Sequence, residues 1–509
     1  MKLLKLITLR YMKIFKIPLL AFLFIIISSC ELEEVAPFLD KTVYEDPQTA
    51  QASAKGIYAG LTAYNAKERG IFVINGFSGL FITGKQGQRI TNPNNANLFS
   101  LNPTYDADSE AMWGEYYAVI SRCNGAIQYT TTGDDPVFDN VAGHAYFIRA
   151  YSYFQLVRLW GDIPLWTVLP DNNNLHKAKS SAKEVYEQII SDAQQAESLM
   201  NETLGIGFPL KFAANMLLAK IYMTLATNPD LGDGSSNYWQ LAYDEAIKVK
   251  NSGRYTLHPN YSELFTQSGE NSNESIFEYQ LSEIASNSQL GRNYTPWKYK
   301  TGMHFGWFSV NANVYDAHVA NYPTDPRLDG TYLHYYTRAD NSAEVKTYPS
   351  TGRNGFRASH PYLFKFAEKD KSHSAQYNSQ NYIVYRYADL LLMLAEISNE
   401  LGKDAEAMGY VEQVLSRVGL TPHISYQGGQ SSFRDAIMRE YRFELLGEGE
   451  DSHNNRRRGF NYFLSNIILP HNNNPNKNQY DLTLLTDESR VMKLPIPLGE
   501  ITTNDLIDD

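Results

Sequence analysis

The feature that most constrains this chain is a helical periodicity that keeps returning in pairs. Ser180 and Ser181 can cap a helix whose apolar stripe is Val185, Ile189, Ala193, Ala196 and Leu199, ending near Asn201. After Gly205 and Pro209, a second stripe runs through Ala213, Leu217, Ile221 and Leu225, with Ala214, Leu218 and Tyr222 beside it, and stops at Asn228-Pro229. Two helices joined by so short a breaker form an antiparallel hairpin, and alanines at the seam allow close approach.

The pattern recurs at Trp113 to Tyr129 with Ala142 to Trp160, at Tyr238 to Asn251, and at Ile383 to Leu401 with Ala405 to Val418 around Gly402. A single pair cannot cover its own apolar face, so such pairs stack in the manner of tetratricopeptide repeats. Here the repeat is degenerate and interrupted. The expected fold is therefore mainly α, with tetratricopeptide-like helical hairpins forming a partial superhelix rather than a regular solenoid. Residues 70–108 and 253–380 interrupt it with long, irregular, loop-rich insertions, in which Ser275 to Tyr279 and Tyr332 to Tyr336 read as short strands. Insertions of that length are expected to form a recognition face on the helical scaffold.

The N-terminus carries a different signal. A basic leader and an apolar run from Ile17 to Ile27 end in Ser28-Ser29-Cys30, which looks like a bacterial lipobox. The run contains Pro18 and falls well short of the about 20 residues that span a bilayer. Residues 1–29 are thus expected to be a lipoprotein signal peptide, with Cys30 acylated and residues 30–509 forming a single domain. Met12 opens a compact leader of its own and is an alternative start.

With Cys30 acylated, only Cys123 remains, so stability must come from packing rather than from an intrachain disulfide. A net charge of -11 argues against nucleic acid as a partner, because phosphate binding needs a basic surface. The triplet Arg456-Arg457-Arg458 is a local exception, read as a solvated or carboxylate-paired helix end. Tyrosine numbers 36 and aromatics make up 13% of the chain, many of them in Asn- and Gly-rich segments, which points to ligand contact through exposed rings.

A run of motifs then carries a family resemblance over nearly the whole mature chain. Trp113-Gly-Glu-Tyr-Tyr117 leads to Ile120, Asn124 and Ile127, and Arg149-Ala150-Tyr151 leads to Gly161-Asp162-Ile163-Pro164-Leu165. Ser252-Gly-Arg-Tyr255, Asn273-Glu274, Asp325-Pro326-Arg327, Tyr385-Arg386-Tyr387-Ala388-Asp389, Ala395-Glu396 and Leu494-Pro495-Ile496-Pro497 follow in order. The sequence resembles the SusD/RagB family of Bacteroidetes nutrient-binding lipoproteins. That resemblance implies an outer-membrane, lipid-anchored protein facing the cell exterior, partnered by a SusC-like TonB-dependent transporter. The glutamates at 31, 33 and 34 are similar to an export signal for that outer face. One stretch departs from the pattern: Arg439-Glu440-Tyr441-Arg442 runs through Glu444, Glu448 and Glu450-Asp451 to Asn454, where the family commonly has Asp, altering a charge network of structural character.

Most signature residues read as architecture. Arg149, Arg386 and Glu396 share helices with apolar stripes and are expected to form ion pairs at helix seams, and Trp113 to pack. Ligand candidates come from aromatic density instead: Tyr294, Trp297, Tyr299, Trp307 and Phe308, with an early loop around Phe77, Phe81, Arg89, Asn94, Asn95 and Asn97. The expected ligand is an oligosaccharide, because glycans favour an exposed aromatic shelf; an oligopeptide, as in the RagB branch, is the alternative. A purely structural role beside the transporter is a third reading. The sequence shows no His-Glu-x-x-His pair, Gly-x-Ser-x-Gly elbow, phosphate loop or Cys/His metal spacing, so neither enzyme activity nor a cofactor or metal is expected.

Overall fold

In the computed structural model, residues 41–65, 70–83, 97–105, 107–170, 175–201, 204–232, 237–282, 290–299, 304–349, 360–367, 379–475 and 482–507 are described. Helices α1 (Pro47–Asn65) and α2 (Gly70–Gly76) precede strand β1 (Phe81–Thr83). The hairpin helices follow as α3 (Ala107–Tyr129), α4 (Pro136–Trp160), α5 (Ala182–Leu199), α6 (Phe212–Thr227) and α7 (Asn237–Asn251). Each packs against its successor, and α1 lies against both α3 and α4. The mainly helical architecture with tetratricopeptide-like hairpins is the one the periodicity predicts.

Local chemistry sets the helix ends. At the start of α4, Asp135 accepts from the backbone N–H of Val137 at 2.8 Å and Pro136 occupies the first turn; Gly161 closes the other end at φ 81°. Helix α5 begins with the reciprocal pair that its sequence announces, Ser181 Oγ accepting from Glu184 N and Glu184 Oε2 accepting from Ser181 N. Between α4 and α5 the backbones come so close that a Cβ on Gly143 would lie 2.6 Å from Met200 N. Arg149 then clamps the pair, donating from Nε and Nη2 to Asp192 at 2.7 Å and from Nη1 to Asn124 at 2.8 Å.

After β2 (Ser275–Tyr279), α8 (Leu290–Tyr294), β3 (Phe308–Val310), α9 (Ala312–Asn321) and the hairpin of β4 (Tyr335–Thr337) with β5 (Glu344–Lys346), strand β6 (Tyr382–Arg386) runs straight into α10 (Tyr387–Glu400). The periodicity places the start of that helix at Ile383. Its first residues instead form β6, because Tyr-Ile-Val-Tyr suits a pleated surface and pairs antiparallel with β2, Tyr382 opposite Tyr279. Helices α11 (Asp404–Ser416), α12 (Gln430–Leu445), α13 (Glu450–Arg457) and α14 (Leu498–Thr503) complete the order of elements used below. Strands β1 and β3 also pair antiparallel, Phe81 opposite Val310.

The early insertion is not all surface. Every residue of α2 is buried, and Phe77, Leu80 and Phe81 join the main core, because a run this apolar gains more from burial than from solvent. Glu444 on α12 meets three guanidinium groups, Arg327, Arg386 and Arg417, all within 2.8 Å, so the divergent acidic stretch builds a dense buried ion network. Arg457 and Arg458 both reach Glu396, as expected of a carboxylate-paired helix end. Arg456 is buried and, among the described residues, has no carboxylate partner.

Candidate functional site

The aromatic candidates sit on a loop cluster that two backbone bonds hold together. Phe305 N donates to Arg292 O and Trp307 N to Asn293 O, each at 2.8 Å, so residues 305–307 run alongside α8. The pairing stacks three side chains in a column: the Arg292 guanidinium lies 3.6 Å from the Phe305 ring centre, and Phe305 lies parallel to Trp307 at 4.8 Å. Trp307 is half-buried, and its Nε1 has no hydrogen-bond partner among the described residues; the same holds for both amide atoms of buried Asn293.

Trp297 is the exposed member, with 44% of its surface free. Its ring faces Lys298 Nζ at 4.7 Å and Arg338 at 5.3 Å, cation–π contacts that steady the indole without burying it. The hairpin of β4 and β5 supports it from below, Tyr336 Oη donating to Trp297 O at 3.2 Å and Ala339 N to Lys298 O at 3.0 Å. Asp340 pairs with Arg338 at 2.6 Å and lies 3.8 Å from Lys298, leaving one positive charge in surplus beside the indole. Tyr299 is half-buried, edge-on to Tyr336 and Phe364, and burial pushes its phenol up to about 12.

Other candidates move from the ligand face to the core behind it. Tyr294 is 1% exposed, its hydroxyl accepting from Asn75 Nδ2 at 2.8 Å and its ring edged by Phe81 and Phe308. Phe308 is fully buried on β3, stacked on Phe99 at 4.9 Å, and Phe77 is fully buried under the Arg456 guanidinium. Their rings are consumed by packing, so none offers a face to a solute. Phe81 is enclosed in the same way. Asn97 is half-buried, and its segment backs onto β3 through the Phe99–Phe308 stack. Arg89, Asn94, Asn95 and Cys30 lie outside the described residues.

Sequence reasoning passed over Arg292, Lys298 and Arg338, the cations that hold the rings. A signal was present for two of them, since Arg292 and Lys298 interleave with the aromatics of the same segment; Arg338 reaches the indole only through the hairpin. Among the described residues no group of side chains could hold a metal ion, and no helix is long and apolar enough to cross a membrane.

Comparison with known proteins rests on this frame. The model of the SusD family matches residues 230–508, over half of the chain. This chain belongs to the SusD family. A second model, described as starch-binding associating with outer membrane, matches residues 38–223. SusD-like protein P2 of Formosa agariphila is 27% identical over 97% of this chain and 98% of its own. A crystallised SusD homolog from Bacteroides thetaiotaomicron superposes with a TM-score of 0.78 at 20% identity, covering 93% of this chain and 98% of that one. Surface glycan-binding protein A of the same species, solved in complex with laminarihexaose, has a TM-score of 0.70 at 21% identity, covering 89% of this SusD-family chain and 97% of its own. These likenesses are of fold.

Proposed function

We propose that this SusD-family protein is a lipid-anchored, non-catalytic binding protein of the outer membrane, facing the exterior, that captures an oligosaccharide and delivers it to a SusC-like TonB-dependent transporter. The observation that carries the glycan reading is Trp297, an exposed indole contacted by two cations and backed by the β4–β5 hairpin. A sugar ring stacks its C–H face on such a surface, while neighbouring polar groups take its hydroxyls. The half-buried Trp307 and Tyr299 extend the shelf. The laminarihexaose complex of a structural neighbour supports the same ligand class. Cleavage after residue 29 and acylation of Cys30 supply the tether, and binding without turnover suits a protein that must release its cargo.

Calorimetry with a panel of neutral oligosaccharides and oligopeptides tests the reading. Trp297→Ala should weaken glycan binding at least about tenfold, a loss of about 1.4 kcal/mol, with thermal unfolding unchanged. Full-strength glycan binding by the variant, or binding of peptides alone, would refute the assignment. Cys30→Ala should shift the protein from the membrane fraction to the soluble one.

A further inference from the structure

The charges around Trp297 are unequally satisfied. Lys298 and Arg338 border its ring at 4.7 and 5.3 Å, and Asp340 lies beside both cations. The other charges of the β4–β5 hairpin point elsewhere. Tyr336, paired with Val345, is the residue that reaches Trp297; Glu344 and Lys346 alternate with Val345 and share the opposite face with Tyr335, whose hydroxyl Glu344 engages.

Asp340 answers only one of the two cations. Its carboxylate fills the Arg338 fork, accepting from Nε at 2.9 Å and from Nη2 at 2.6 Å. Lys298 Nζ reaches it only at 3.8 Å, beyond hydrogen-bonding distance, so the ammonium's three N–H donors have no partner among the described residues. The Lys298 side chain is 34% exposed. Its backbone is left-handed, at φ 67°, and is fixed by Ala339 N donating to its carbonyl at 3.0 Å. That conformation is uncommon for a residue with a Cβ and gathers at ligand-holding sites. A lysine on open surface needs only water. This one borders the exposed indole, within reach of a substituent on any sugar stacked there.

We infer that the loop face selects acidic oligosaccharides: a sugar stacked on Trp297 presents a carboxylate or sulfate to Lys298 Nζ, while Arg338 stays locked to Asp340 and braces the indole. The inference rests on the reading of Trp297 as the glycan shelf and adds the ligand's charge to it. The chain's net charge of -11 repels anions at long range, so the selectivity comes from this one contact and should vanish with it.

Calorimetry on the full chain in detergent tests it. The probes are oligogalacturonate, oligomannuronate and chondroitin sulfate fragments, each set against its methyl-esterified or desulfated counterpart. The best acidic binder should exceed its neutralised form by at least about tenfold, and comparison of uronates with sulfates identifies the anion. Lys298→Gln should bring the acidic ligand to the level of its neutral form and leave the neutral form unchanged, Lys298→Arg should keep the difference, and Trp297→Ala should weaken both. Equal or tighter binding of the neutral forms overturns the inference, as does undiminished selectivity in Lys298→Gln; binding confined to neutral oligosaccharides overturns it while leaving the glycan reading in place. Binding of no glycan at all refutes that reading, and the inference falls with it.

Discussion

Arg386 and Glu444, 58 positions apart, are joined twice: Nη1 donates to the Glu444 carboxylate at 2.6 Å and Nη2 to its backbone carbonyl at 2.8 Å. The same guanidinium holds Glu274 at 2.8 Å and Glu448 at 2.6 Å, so one residue at the end of β6 ties the central insertion to α12. All four side chains are buried. Such a network specifies which segments meet more than it adds stability, yet removing one member leaves uncompensated charge in a medium that cannot solvate it.

Arg386→Met should therefore destabilise the protein by roughly 3–5 kcal/mol, because Glu274, Glu444 and Glu448 lose their common partner. Urea unfolding followed by circular dichroism measures this. A loss below about 1 kcal/mol would show that the remaining cations, Arg327, Arg417 and Lys365, suffice.

The pair of His318 and Asp325 predicts acid sensitivity. His318 Nε2 lies 2.9 Å from Asp325, and burial holds the imidazole down to about 4. Burial alone would raise Asp325, but the hydrogen bond from His318 and the charge of Arg327 hold it down at about 2. Both groups sit below their unfolded values, so their stabilisation is complete above about pH 6.5 for the histidine and about 3.9 for the aspartate. It is lost as pH falls, the histidine's share between about 6.5 and 4. Asp451, pushed up by burial, acts in the opposite sense, so a variant comparison is needed. His318→Gln should flatten the stability profile over that window, read from denaturation midpoints at successive pH values; an unchanged slope would remove His318 as the cause.

The seam between α4 and α5 gives a steric prediction. Gly143→Val would drive a Cβ into Met200 N, where backbone cannot yield cheaply, and should cost about 1–3 kcal/mol. Gly114→Ala, at an exposed position of helix α3, meets nothing within 4 Å and should gain about 0.5–1 kcal/mol. Thermal unfolding of the two variants should move in opposite directions; a shared direction would contradict the packing described.

Much of this molecule is written locally. Apolar spacing, the Ser181–Glu184 cap and the breaker at Asn228 specify helices and their ends, because a helix needs only neighbours three or four positions away. The pairing of Arg149 and Arg386 with carboxylates was legible too, since a guanidinium among apolar neighbours is stabilised by one. Which carboxylates answer was not, because Asp192 and Glu444 are brought up by other helices. The same limit governs the ligand face. An aromatic residue looks alike in sequence whether its ring is enclosed, as in Tyr294 and Phe308, or open, as in Trp297. Only long-range packing, here the β1–β3 pairing and the phenylalanines stacked behind it, decides which rings remain in contact with water.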